Sequence, residues 1–232
     1  MKSTQLKSVL LGVDTAEGTW LGNAVKMISL RFFRSRLRVK NRKSNKVFIK
    51  GVHRLLNSSV EITGFGNEIR IAGRLQQCAL NILGNNNRII THENSDINWT
   101  EITIIANDSE IEIGRDVHFN GKQSAQNLIL ARGEPSKISI EADCIFSYGV
   151  EIRTPDSHKI FDATNNRINP EQNVIIRKHV WVGAKTTILK GVSISEGSII
   201  ATGSVVTKSI SENVIAAGIP ARPIKNHVHW ER

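Results

Sequence analysis

The stretch VGAKTTILKGVSISEGSIIATGSVV, residues 182–206, carries an aliphatic side chain at every sixth position: Val182, Ile188, Ile194, Ile200 and Val206, with Ile176 one step earlier. A helix repeats its apolar face at about 3.6 residues and an amphipathic strand at two, so a period of six belongs to neither alone. It fits a short strand and a tight turn, repeated. A second column agrees. Val180, Thr186, Val192, Ser198 and Ser204 stand two residues before an aliphatic and share a strand face with it. Gly183, Gly191, Gly197 and Gly203 fall where the turns come. Stacked in parallel, such units pair each amide with the coil above or below, which makes a solenoid of short strands.

Working outward, the strict period begins at Ile140, Phe146 and Ile152. Before it, from residue 47, the spacing is looser, but aliphatic pairs straddling one residue keep returning, such as Val60 with Ile62, Leu80 with Ile82 and Ile111 with Ile113. Each pair reads as a strand with one buried face. Turn segments separate them, among them GFGN at 64–67 and GNNN at 84–87. These are irregular coils of the same solenoid, so one core is expected. The period breaks at TPDSHKIFDATNNRINPEQN, residues 154–173, and resumes at Ile176. Carried through the break, it would point His158 inward among aliphatics. A polar loop leaving the coil is the better reading, and loops on rigid scaffolds are where chemistry collects.

The formal net charge of +10 is not spread evenly. Between Glu17 and Glu61 there is no carboxylate and there are 11 Lys and Arg, so the rest of the chain is close to neutral. Within that segment Leu21, Val25, Ile28 and Phe32 recur at helical spacing, with Lys26, Arg34 and Arg38 elsewhere on the wheel. A basic amphipathic helix over residues 19–36 is expected. Two roles compete for it: a cap on the open end of the solenoid, and peripheral contact with an anionic membrane surface or glycan. No recognition motif accompanies the charge, which argues against a nucleic-acid partner.

Cys78 and Cys144 form neither a CxxC pair nor a disulfide framework, which suits a reducing compartment. Cys144 as a nucleophile is set against a buried structural thiol, the commoner use. No apolar run approaches about 18 residues, and residues 9–13 are too short for a signal-peptide core. The expected location is therefore the cytoplasm, where the sequons at Asn57, Asn98 and Asn107 carry no meaning.

The run HVWVGAKTTILKGVSISEGSIIATGSVVTKSISENVIAAGIPARPIK, residues 179–225, resembles the carboxyl-terminal half of the hexapeptide-repeat acyltransferases. The resemblance is strong over about residues 146–225 and weaker over about 46–145. It implies an all-β fold, a left-handed parallel β-helix that departs from the right-handed crossover rule. The division expected is a basic, helical extension at 1–45, the β-helix at 46–225 and a tail at 226–232. Arg177 after Ile176 and Ser195 after Ile194 stand where the repeat usually has glycine, which alters turns and no chemistry.

The segment EIRTPDSHKIFD looks like that family's catalytic segment, and by this match His158 is the general base. It would take the proton of an acceptor hydroxyl as the oxygen attacks the thioester of acetyl-CoA. Asp156, two residues earlier, is the first candidate to orient the imidazole, against an Asx turn, and Asp162 is a further one. Trp181 matches a tryptophan that similar sugar O-acetyltransferases hold near the thioester, with simple packing as the alternative. The resemblance to galactoside and maltose acetyltransferases also carries over the cofactor groove. Ala184 and Thr202 would line the pantetheine through their backbones, Thr207 and Lys208 would follow along it, and Arg222 and Lys225 would face the nucleotide phosphates. Thr202 replaces the usual alanine, which is harmless where only backbone is used.

DSH followed by RINP and VWVGA looks like the polysaccharide-modifying branch, so the acceptor implied is a sugar hydroxyl in a capsular, O-antigen or sialic-acid-containing glycan. A homotrimer is implied too, with cofactor and acceptor meeting between neighbouring solenoids. The alternative of the same class is an N-acetyltransferase on a nucleotide-linked amino sugar, against which no GxGxxG follows a strand. A non-catalytic scaffold is the rival from another class and predicts no CoA binding. No metal is expected, because His118, His158 and His179 do not match the zinc motif of β-helical carbonic anhydrases.

Overall fold

The computed structural model describes residues 11–12, 34–50, 54–133 and 135–232. Among these the regular elements are strands, gathered into three sheets of eight, nine and eight strands. From Lys46 to Val206 the chain visits the sheets in a fixed rotation, and successive visits to one sheet pair in parallel. We number the faces in chain order: face 1 holds Lys46–Ile49, face 2 Leu55–Leu56 and face 3 Ser59–Thr63. The molecule is thus a three-sided parallel β-helix.

The six-residue column has a simple meaning here. Ile176 lies on face 1, Val182 on face 2 and Ile188 on face 3, and Ile194, Ile200 and Val206 repeat the circuit. Ile176 pairs with Ile194, Val182 with Ile200 and Ile188 with Val206, each 18 residues on. All six are fully buried, and so are Val180, Thr186 and Ser198 of the second column. Each buried aliphatic contributes about 1.5–3 kcal/mol relative to exposure. Phe119 and Phe146, in register on adjacent face 2 strands, stack with ring centroids 4.2 Å apart. Gly191, Gly197 and Gly203 turn corners with φ of 74, 70 and 72°, as expected. Gly183 differs: it is small because a Cβ there would stand 2.6 Å from the Thr202 nitrogen of the next coil.

The looser coils keep the same inside and outside with longer corners. Val47, Ile69, Ile89, Ile111 and Ile138 stack on face 1. What replaces the strict repeat is a buried polar ladder at the corner between faces 3 and 1. Asn67 donates through Nδ2 to Asn45 Oδ1 at 3.2 Å and to the Gly84 carbonyl at 2.8 Å. Asn87 does the same one coil on, to Asn67 Oδ1 at 3.1 Å and the Ala106 carbonyl at 2.7 Å. Ser109, Ser136 and Thr154 continue the column, the last two hydroxyls 3.1 Å apart. Each amide satisfies corner backbone that would otherwise be buried unpaired. The ladder ends on Thr154, the first residue of the interrupting loop.

Two expected boundaries move. Arg36–Val39 is a face 3 strand paired with Ser59–Thr63, and Leu11–Gly12 pairs with face 1, so sheet pairing starts ahead of residue 46. Of the expected helix at 19–36, residues 19–33 lie outside the described residues, and Arg36 opens a strand. At the other end Ala221–Asn226 folds back antiparallel on Val214–Gly218, and the following tail is docked, with Trp230 buried. No helix among the described residues is long and apolar enough to cross a membrane.

Candidate active site

The loop at 154–173 leaves face 3 after Glu151–Arg153 and rejoins face 1 at Val174–Ile176, so it stands on the corner opposite face 2. The coil closes beneath it without distortion: Phe146 still pairs with Val182 and Ile138 with Val174. His158 is exposed on this loop, as the polar interruption predicted. Its amide donates to the Asp156 carbonyl at 2.9 Å, with Ser157 between them at φ 70°. A serine holds that left-handed conformation only when its surroundings impose it.

Asn169 does the imposing. It is 8% exposed, and its side chain donates to the His158 carbonyl at 2.8 Å and to Asp156 Oδ2 at 3.1 Å while accepting from the Ile160 amide at 2.6 Å. Lys190 grips the other end, with Nζ 2.5 Å from Asp156 Oδ2 and 3.1 Å from the Pro170 carbonyl. Sequence reasoning missed both, although Asn169 stands in the RINP run and Lys190 in the opening stretch. The Asp156 carboxylate therefore engages Lys190 and Asn169, and the bond it shares with His158 is between backbones. Partial burial raises its pKa, but the hydrogen bonds from Lys190 and Asn169 and the charges of Lys190 and Arg153 hold it below the usual carboxylate range. Asp162 caps the loop tip, accepting from the Thr164 and Asn166 amides at 2.9 Å each.

Trp181 lies on face 2 and is 43% exposed. It belongs to an outward row in which Trp181 pairs with Ile199, Ile199 with Ile215 and Ile215 with Lys225. At about 4.8 Å per strand, the ammonium-bearing end lies about 14 Å from the indole, with apolar side chains between. Ala184 and Thr202 flank this row at the corner of faces 2 and 3, one coil apart, where the Gly203 amide donates to the Ala184 carbonyl at 2.8 Å. Arg222 is exposed on the terminal strand opposite Ala217. Trp181, Ala184, Thr202, Arg222 and Lys225 are thus brought to one side of the prism. Thr207 and Lys208 are not. They follow Val205–Val206 at the corner of faces 3 and 1, the corner that also carries Lys190 and the His158 loop.

The cysteines are inside. Burial pushes the thiols of Cys78 and Cys144 up to about 12, against the lowering effect of backbone hydrogen bonds, so neither supplies a thiolate near neutrality. His118 lies on face 2, His179 at the corner of faces 1 and 2, and His158 across the prism.

No family model matches the chain. The polysialic acid O-acetyltransferase of Neisseria meningitidis is 34% identical over 146 residues, 55% of this chain and 68% of that protein. The polysialic acid O-acetyltransferase of Escherichia coli O1:K1 / APEC is 35% identical over 96 residues, 41% of this chain and 31% of that one. The crystal structure of the polySia-specific acetyltransferase NeuO superposes with a TM-score of 0.70 at 30% identity, covering 85% of each chain. The repeat, the solenoid and these similarities agree: the chain belongs to the hexapeptide-repeat acetyltransferase family, among its O-acetyltransferases.

Proposed function

We propose that this protein transfers the acetyl group of acetyl-CoA to a hydroxyl of polysialic acid, with His158 as general base. The observation that carries the reading is the His158 loop, held open to solvent by Asn169 and Lys190 above an undistorted coil, in a chain similar to polysialic acid O-acetyltransferases over 85% of the NeuO structure. The imidazole takes the proton of the attacking hydroxyl. The sugar oxygen then bonds to the thioester carbon, the carbon–sulfur bond breaks, and the histidinium returns its proton to the departing thiolate. An imidazole nitrogen can accept a proton and then donate it, which suits both transfers. Asp156 serves this step by fixing the turn that carries His158.

The row from Trp181 to Lys225 fits the donor: a cation for phosphate at one end, an apolar wall for the pantetheine arm, and an indole at the thioester. His158 and Trp181 stand on opposite sides of one prism. A second copy, in the homotrimer that the family resemblance implies, would bring the loop of one chain to the donor row of its neighbour. The reaction then belongs to the cytoplasm, where acetyl-CoA is made available.

The test is release of free CoA from acetyl-CoA with polysialic acid, a neutral glucan and an amino sugar as acceptors, wild type beside His158→Ala. Release that needs both polysialic acid and His158 supports the reading. Equal release by the variant removes His158 from the chemistry, and acetylation of the amine alone returns the N-acetyltransferase.

A further inference from the structure

The first described coil, residues 34–50, carries eight Lys and Arg and no carboxylate, and all eight are exposed. Among the described residues, Lys50 alone of the eight meets a carboxylate, that of Glu93. The rest of the surface behaves differently. On face 1, Glu110 lies between Arg88 at 2.9 Å and Lys137 at 2.7 Å, and on face 2 Arg74 meets Asp96 at 2.9 Å. Later coils neutralise their charges by stacking opposite signs on adjacent strands. Among the described residues, seven of this coil's eight cations form no ion pair, although Glu61 stands in register beside Arg38 on the next strand.

Three of them share the face that leads to the candidate base. Arg36, Arg38 and Lys40 alternate outward with Leu37 and Val39 at the amino-terminal edge of face 3. Face 3 then runs through five strand steps to Glu151–Arg153, which enters the His158 loop. At about 4.8 Å per step that is about 24 Å along one wall, more than one sugar spans. The column at its edge is uncharged between cations. After Lys40 it passes Thr63, Leu83 and Ile105 and ends at exposed Arg132, one coil below Thr154.

We propose that the basic coil at the edge of face 3 is a second docking site for the acceptor, binding the distal part of a polyanionic glycan whose reacting sugar lies at His158. The inference rests on the acceptor reading above and adds where the unreacted chain goes. Linked contacts at two places raise the apparent affinity for long chains without new contacts at the reacting sugar. A second copy of this chain is a poor occupant, because like charges would face one another. A flat bilayer touching the rim would leave the shared wall with His158 unused.

The triple variant Arg36→Glu, Arg38→Glu, Lys40→Glu tests this, since all three side chains are exposed and its melting temperature reports folding independently. The acceptors are long polysialic acid and a sialic acid trimer at high concentration. The expected result is KM for the polymer raised at least ~10-fold with a flattened salt dependence, while kcat and the trimer kinetics stay at wild-type values. An unchanged polymer KM overturns the proposal. So does loss of binding to phosphatidylserine vesicles with the polymer KM unchanged, which would assign the cations to a membrane. Wild-type enzyme inert on both acceptors would defeat the acceptor reading instead. The docking site is then decided by calorimetry with the polymer, where binding by wild type and not by the variant upholds it and equal binding overturns it.

Discussion

Trp230 lies flat on His179, ring centroids 4.0 Å apart and planes within 5°. The pair is locked twice over: the indole Nε1 donates to the His179 carbonyl at 3.1 Å, and His179 Nε2 lies 3.0 Å from the Trp230 carbonyl. His179 Nδ1 faces Asp143 Oδ2 at 2.6 Å, and Arg232 Nε closes on the other oxygen of Asp143 at 2.8 Å. With Val228 bonded to Asn213, the last residues form a strap down the corner of faces 1 and 2. They cross the left-handed corner residues Asn213, His179 and Asp143 in turn. The strap also sets Trp230 beside Trp181, centroids 6.1 Å apart, next to the row proposed above for the donor.

Trp230→Ala should therefore lower stability by about 2–3 kcal/mol, below the cost of a central core aromatic because the strap is peripheral. Urea unfolding measures this. Limited proteolysis should release the carboxyl terminus early, and KM for acetyl-CoA should rise while KM for the acceptor holds.

Substituting the candidate base separates chemistry from binding. His158→Ala should lower kcat by about 10²–10⁴-fold with CoA affinity kept, because the side chain is exposed and bonds to no other side chain among the described residues. Calorimetry with CoA beside the turnover assay checks both halves.

Asn169→Ala removes three hydrogen bonds that hold the His158 turn. A loss of about 1–3 kcal/mol in loop stability is expected, read as faster amide exchange at residues 156–169, with a drop in kcat/KM. Unchanged exchange would show that the loop needs no such anchor.

Acid should release the same anchor. The folded pKa of Asp156 lies below its unfolded value, so its contribution is present above the ordinary carboxylate range and is lost as pH falls through the folded value. Protection of residues 156–169 should persist at pH 5 and fade only below about pH 4. Asp156→Asn should lack this acid dependence.

Two glycines separate shape from conformation. Gly84 has φ 133°, and a Cβ would stand 1.8 Å from the Ala106 carbonyl oxygen; Gly203 has φ 72° and nothing within 4 Å. Gly203→Ala should cost about 1 kcal/mol in urea unfolding, and Gly84→Ala about 3 kcal/mol or more.

Much of the fold was legible because its repeat is local. Ile176 to Val206 face inward for reasons that six neighbouring residues settle, since each strand is two or three residues long and each corner one turn. The loop was legible for the complementary reason that TPDSHKIFDATNNRINPEQN breaks the repeat, which put His158 outside. The asparagines of GFGN and GNNN read as turns, but not as a buried ladder. Asn67 and Asn87 become a column only when coils of unequal length bring them into register, 20 residues apart here and 22 at the next step. Asn169 and Lys190 escaped for the same reason, being distant in the chain from the turn they hold.

The sequence by itself determined the solenoid, the position of its one polar loop, the neutral body and the basic start, because period, composition and charge are properties of adjacent residues. Tertiary structure decided the rest. The number of residues in each coil sets which side chains share a corner. That placed Trp181, Ala184, Thr202, Arg222 and Lys225 on one side, His158 with Thr207 and Lys208 on the other, and folded the final residues back over His179.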